Sequence, residues 1–101
     1  MKSWKPYVND ETMDTKGIDN GVIVNDEEYS NEARITLEAG GHAPYSISCG
    51  IYGIMFHTAF AEDRTEAVNK YEEMKEAVAE FLNDNDDADA SDWCGWFADR
   101  F

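Results

Sequence analysis

The stretch ARITLEAGGHAPYSISC, residues 33–49, decides the fold of this chain. Apolar residues occupy every second position from 33 to 39 and again from 45 to 49. Alternation with a period of two is typical of a strand that buries one face. The Gly-Gly pair and the proline between the two halves are typical of a hairpin connection. The stretch therefore predicts two half-buried strands that pair antiparallel.

Two further strands are predicted on either side of this hairpin. Residues 21–24, GVIV, form a short β-branched run that predicts a first strand, and the acidic residues 25–32 predict a loop. The strand from Ile51 to Phe60 is apolar at both alternating sets of positions, as is typical of a central strand covered on both faces. Gly50 and Gly53 indicate a turn, a bulge or a close backbone approach, and the sequence leaves these alternatives open. A dimer partner or the terminal segments could cover the second face.

Residues 63–82 predict one long amphipathic helix. Asp63 and Glu66 have the spacing of an N-terminal cap. Apolar residues at 67, 71, 74, 78 and 81 share one helical face. Together with the strands, this predicts an α+β fold in which an antiparallel sheet of three to four strands carries the helix on one face, as a two-layer sandwich.

The length of 101 residues predicts a single domain. Residues 1–20 are expected to be irregular, residues 83–92 to form an acidic connector, and residues 93–101 to form an aromatic tail. A helix from about Ser91 would place four aromatic side chains on one side, at Trp93, Trp96, Phe97 and Phe101. We expect this tail to dock on the core. The alternative is a free partner hook, because the tail resembles the acidic-aromatic C-terminal tails of bacterial single-stranded-DNA-binding proteins, which recruit partner enzymes.

The charge balance restricts the classes of partner. The chain has 22 acidic and 8 basic residues, a net charge of -14. Such a surface repels phosphate backbones and anionic membranes, which argues against direct binding of nucleic acid or lipid. It attracts basic protein surfaces. The first residues contain no apolar signal segment and the longest apolar run is too short to span a bilayer, so we expect a cytoplasmic protein.

The residue types that carry chemistry do not form a recognisable site in the sequence. His42, His57, Cys49 and Cys94 are not at the spacing of a zinc site, and the aspartate run fails the EF-hand pattern. Cys49 with His57 is the obvious nucleophilic pair, but a reactive thiol needs electropositive surroundings. The sequence therefore predicts no catalytic residue, no metal and no cofactor. A Cys49–Cys94 disulfide stays possible.

Closely spaced carboxylates on a rigid helix can present charge much as a nucleic-acid backbone does, although a merely solvated face is the simpler interpretation. The candidate partner-binding residues are Glu72, Glu73, Glu76, Glu80, Asp84, Asp86, Asp87 and Asp89. The sequence favours a small acidic, non-enzymatic protein-binding protein. In its most specific form, this is an inhibitor or regulator that engages the basic, nucleic-acid-binding surface of a target, like the nucleic-acid mimics of the anti-restriction and anti-CRISPR type.

Two other functions stay open at this point. The chain could be a structural homo-oligomeric subunit that forms a homodimer through the strand from Ile51 to Phe60. It could instead be a small-ligand-binding protein or an enzyme that uses Cys49, Tyr52 and His57 around a pocket between sheet and helix.

Overall fold

A computed structural model of the chain describes residues 4–7, 12–83 and 90–101. The elements follow in the order β1 (Trp4–Pro6), β2 (Val22–Tyr29), β3 (Ala33–Ala39), β4 (Tyr45–Ile51), β5 (Met55–Ala61), α1 (Arg64–Asn83) and α2 (Ala90–Arg100). The strands form one antiparallel sheet in the order β1-β2-β3-β4-β5. The α+β architecture is confirmed, but the sheet has five strands where three to four were predicted, and the described residues contain a second helix.

The hairpin predicted from residues 33–49 is present as β3 and β4. The two strands pair in one continuous register, from Ala33 opposite Ile51 to Ala39 opposite Tyr45. Gly40 has a φ of +76°, a conformation in which a side chain would be strained, and its N–H donates to the carbonyl of Pro44. The first residue of the connection is therefore a glycine because a side chain would be strained there.

The loop expected at residues 25–32 is wrong, because β2 continues to Tyr29. Its acidic side chains have partners far along the chain. Asp26 accepts two hydrogen bonds from Arg34, and Glu27 accepts from Tyr71 and Lys75 of α1. These partners compensate the charges that made the segment look like a solvated turn, so the backbone can remain in the sheet.

The N-terminal segment, expected to be irregular, contributes the short strand β1. This strand pairs with β2, from Trp4 opposite Tyr29 to Pro6 opposite Glu27. The indole of Trp4 lies 5.1 Å from the Tyr29 ring, tilted by 55°, and its N–H donates to the carbonyl of Lys75 in α1. The tryptophan therefore ties the edge of the sheet to the helix, a contact that no local period could predict.

The prediction of a central strand from Ile51 to Phe60 is also wrong. The chain turns at residues 52–54, where Ile54 N–H donates to the Ile51 carbonyl and Gly53 has a φ of +75°. Of the open alternatives for the glycines, a turn at Gly53 is therefore the one observed. The strand that follows, β5, lies at the edge of the sheet and pairs with β4 alone among the described strands. Its two faces are apolar although nothing described covers the second one.

The sheet has a helix-covered face and a second face. On β3, β4 and β5 the odd-numbered residues point to the helix-covered face, where they form the core with the buried side of α1. The core residues from these three strands are Ala33, Ile35, Leu37, Ile47, Cys49, Ile51, Ala59 and Ala61; β2 adds Tyr29, and α1 adds Ala67, Tyr71, Met74, Ala77 and Val78. The even-numbered residues of the same strands point to the second face.

An N-terminal cap begins α1, and packing against the core holds α2. The Oδ1 of Asp63 accepts from the N–H of Glu66, so the predicted N-terminal cap of α1 is present. The second helix, α2, packs beside α1 on the helix-covered face, with Phe97 in the core. Within the described ranges, no helix is long and apolar enough to cross a membrane.

Candidate functional site

The outward face of α1 carries the predicted acidic residues that the structure describes. All four are exposed: Glu72, Glu73, Glu76 and Glu80. Glu73 pairs with Arg100 of α2 at 2.6 Å, and Glu72 lies 3.7 Å from Lys75. Glu76 and Glu80 have no ion-pair partner within residues 4–7, 12–83 and 90–101. The other four predicted residues, Asp84, Asp86, Asp87 and Asp89, lie outside the described residues.

The spacing of these carboxylates can be compared with that of a nucleic acid. An α-helix rises about 1.5 Å per residue, so the four glutamates span roughly 12 Å of the helix axis. This is one carboxylate per roughly 3–4 Å, which is close to the ~3.4 Å between successive charges on one DNA strand. This linear charge density is about half that of a duplex, and the pairing of Glu73 with Arg100 reduces it further. The acidic face of α1 therefore corresponds more closely to a single strand than to a duplex.

The four aromatic residues of the predicted tail lie on or next to α2. They are Trp93, Trp96, Phe97 and Phe101. Phe97 is 0% exposed and meets the His57 ring edge-on, with the centroids 5.9 Å apart. Trp93 stacks on Phe81 of α1 at 4.3 Å. Trp96 is different, since half of it is exposed. The segment thus packs on the same sheet face as α1, whereas the sequence argument had given it a role as cover for a second apolar face.

Cys49 and His57 are neighbours, but their surroundings are those of a core. They oppose each other across β4 and β5 on the helix-covered face. Burial raises the pKa of the Cys49 thiol to about 12, which keeps it protonated and poorly nucleophilic at neutral pH. Cys94 is also a free thiol, so the disulfide left open by the sequence is not formed.

The second face of the sheet carries a buried polar layer. Asp26, Thr36, Glu38, Ser46 and Ser48 are all buried there. The carboxylate of Asp26 is saturated: one oxygen accepts from Arg34 and Thr36, and the other accepts from Arg34 and the hydroxyl of Thr12. This hydrogen bonding raises the pKa of Arg34, whose guanidinium also lies 3.8 Å from the ring centroid of Tyr7.

Glu38 holds the segment before β2 against this layer. Its carboxylate accepts from the backbone N–H groups of Asp19 and Gly21. Gly17 packs directly on the same carboxylate, where a Cβ atom would overlap it. The buried charge therefore organises residues 12–21 as a cover over part of the second face.

A cleft of about 550 Å³ lies between this cover and the turn at residues 52–54. Its apolar wall includes Ile18, Ile23 and Phe56, and hydroxyls from Thr36 and Ser48 line its floor. Tyr52 also lines the cleft, and its hydroxyl donates a hydrogen bond to Glu28. Cys49 and His57 are on the other face of the sheet, so the pocket that the sequence placed between sheet and helix, around these two residues, is not the cleft that the structure contains.

The stretch that the sequence offered as a homodimer strand, Ile51 to Phe60, forms an exposed apolar surface at the sheet edge instead of a central strand. We call this surface the aromatic edge: Tyr52, Ile54, Phe56 and Phe60. Phe56 is 62% exposed and Phe60 is 52% exposed, and both point to the second face. A signal for this surface was present, since no residue from 39 to 61 is Asp, Glu, Lys or Arg in a chain where 30% of residues are charged. Large exposed apolar groups in an uncharged region are typical of interaction surfaces.

Comparison with known proteins assigns no function to these surfaces. The chain matches no protein-family model, no curated protein and no solved structure. Among the described residues, no three His, Cys, Asp or Glu side chains come together in a way that could hold a metal ion.

Proposed function

We propose that this protein acts by binding another protein, and that the acidic face of α1 engages a basic, nucleic-acid-binding surface of that partner as a regulator or inhibitor. One observation carries the proposal. Four exposed glutamates lie along one rigid helix at about the charge spacing of a nucleic-acid strand, in a chain with a net charge of -14.

The arrangement favours such a role in two ways. The field of a strongly acidic protein speeds its encounter with a basic surface, most of all at low salt. The helix is held in place from its buried side by Tyr71 and Lys75, which both bond to Glu27 of β2. The outward glutamates are therefore presented on a fixed scaffold, and binding costs little ordering of the backbone.

The proposal is tested by measuring affinity for a basic partner with and without the unpaired carboxylates. The partner is isolated by affinity capture at low salt, purified, and titrated against the wild type and a Glu76→Gln, Glu80→Gln double variant. An exposed ion pair contributes about 0.2–1 kcal/mol, so the loss of two should weaken binding roughly 2- to 30-fold. Binding should also weaken as salt is raised, and the purified partner's nucleic acid should compete with the protein.

A matched control separates position from total charge. Asp14→Asn with Asp99→Asn also removes two exposed negative charges, one near the sheet and one on α2. This variant should keep most of the affinity. If the control weakens binding as much as the helix variant, or if salt and nucleic acid leave binding unchanged, the acidic face of α1 is not the binding surface.

A second candidate function, small-ligand binding, is favoured by the cleft on the second face. Its volume of about 550 Å³ is in the range of small-molecule sites, and its mixture of apolar side chains, hydroxyls and the charged groups of Lys16, Arg34 and Glu38 suits a small amphipathic molecule. Ligand-observed NMR with a fragment set should give hits that Ile18→Asp abolishes and that Val68→Asp, the same kind of change at an exposed apolar residue of α1, does not. Hits unaffected by Ile18→Asp would place binding elsewhere.

A further inference from the structure

The two edges of the sheet differ in how they are protected. Exposed strand edges offer unpaired N–H and C=O groups to other chains, and proteins usually blunt them with short strands, charges or proline. β1 has three residues and includes Lys5 and Pro6. β5 has seven residues, with no charged residue and no proline. Among the residues of the two edge strands themselves, only those of β1 therefore protect the edge against pairing.

The outward groups of β5 belong to its even-numbered residues. The Nζ of Lys70, on α1, donates to the Phe60 carbonyl, which shows that this carbonyl faces away from β4. Backbone groups of alternate residues in a strand point to the same side. The N–H and C=O groups of Phe56 and Thr58 therefore also face outward, and the same two-residue period puts Phe56 and Phe60 together on the second face.

We infer that β5 pairs antiparallel with β5 of a second copy of this chain, so that two five-stranded sheets join into one ten-stranded sheet. This inference is independent of the proposed function. It commits to a second copy because the strand is self-complementary about its middle residue.

That self-complementarity follows from the positions of the aromatic residues. Phe56 and Phe60 are each two residues from Thr58. A two-fold axis at Thr58 therefore places Phe56 opposite Phe60 of the partner subunit, and the reverse pair follows by symmetry. Cross-strand aromatic pairs on one sheet face are among the stabilising pairs of antiparallel sheets. The outward backbone groups at the same three positions form the ladder between the copies, and the Phe60 carbonyl, which already accepts from Lys70, uses its second lone pair.

The charge pattern agrees with this arrangement. Two copies with a net charge of -14 repel each other, but β5, β4 and their turn contain no charged residue. The first acidic residues after β5 are Glu62 and Asp63. In the antiparallel register they lie opposite residues 54 and 53 of the partner subunit's turn, which is uncharged, so no like charges face each other. A parallel pairing would bring Glu62 beside Glu62 of the partner subunit.

Charge exchange across the pair tests both the interface and its register. Sedimentation velocity or light scattering should give a mass of about twice 11.4 kDa for the wild type. Phe56→Lys alone and Phe60→Glu alone should each raise the dimer dissociation constant at least 100-fold, since each faces an apolar ring. Both side chains are more than half exposed, so circular dichroism should show an unchanged fold.

The double variant Phe56→Lys, Phe60→Glu should recover the dimer, because each introduced lysine then faces an introduced glutamate of the other copy. The recovered dimer should be weakened by salt, unlike the wild type. A monomeric wild type at 100 μM, single variants that stay dimeric, or a double variant that stays monomeric each overturn the inference. A monomer that loses a different protein partner on Phe56→Lys would show that another chain occupies the edge.

Discussion

Replacing Phe97 with alanine should remove a large part of the stability of the fold. The side chain is fully buried between α2, α1 and β5, with the rings of Trp93, Phe101 and His57 at 5.0, 4.9 and 5.9 Å. Burying a phenylalanine contributes about 1.5–3 kcal/mol by transfer alone, and the cavity left by truncation brings the cost to about 3–5 kcal/mol. A domain of this size has about 5–15 kcal/mol in total.

The assay is urea unfolding followed by tryptophan fluorescence, together with a thermal melt. A loss of about 3–5 kcal/mol corresponds to a fall in Tm on the order of 15–30 °C for a domain of about 100 residues. Trp96→Ala is the matched control, because this larger side chain on the same helix is half exposed, and it should cost about 1 kcal/mol. Phe97→Leu keeps most of the apolar volume and should lie between the two.

The comparison decides whether the C-terminal segment belongs to the core. If Phe97→Ala melts within a few degrees of the wild type, or if Trp96→Ala is the more damaging change, the packing of α2 does not stabilise the protein. The segment would then be better understood as a free hook for a partner.

Four further single changes have expected outcomes. Gly95 lies inside α2, and an added methyl group there meets nothing within 4 Å, so Gly95→Ala should raise the free energy of unfolding in urea by about 1 kcal/mol. Gly41→Ala should lower it, because the added Cβ would overlap a backbone oxygen. Asp26→Asn should cost about 3 kcal/mol in the same assay, because it breaks a buried, saturated carboxylate site. Burial raises the pKa of Cys49, so the folded state favours the neutral thiol. The stability that this contributes is full below pH 9 and is lost toward pH 12. Over this range the Tm of Cys49→Ala should therefore fall less than the Tm of the wild type.

The parts of the fold that the sequence predicts correctly are those specified by local patterns. The alternation in residues 33–49 predicts β3 and β4 correctly as strands, but not their half-buried character, because the polar residues of the second face are buried as well. The cap at Asp63 and Glu66 starts α1 at the observed place. Both signals act over a few residues, so neither needs knowledge of the rest of the chain.

The errors occur where partners are distant in sequence. The second half of β2 looked like a loop because Glu27 reads as a solvated acid, and its partner Lys75 is 48 residues away. The strand after Gly53 looked central because it is apolar on both sides, but apolar residues at a sheet edge give the same pattern.

In the candidate site, too, local patterns are predicted correctly and contacts between distant residues are not. Helical periodicity was enough to put Glu72, Glu76 and Glu80 on the outward side of α1. It could not show that Glu73 is engaged by Arg100, which lies 27 residues later and is brought alongside only when α2 packs. The unpaired part of the acidic face is therefore smaller than the sequence suggested.

The separation of charge in this molecule gives its two proposed surfaces opposite responses to salt. A complex between the acidic face of α1 and a basic partner loses affinity as the Debye length shrinks from about 10 Å at 0.1 M to about 3 Å at 1 M. Pairing of two β5 strands joins strands without charged residues, with Lys70 of α1 bonded at the same edge, and salt screens the repulsion between two copies of net charge -14. Raising salt should therefore release a basic partner while leaving self-association unchanged or stronger. A complex in which both interactions weaken together would mean that they share one surface.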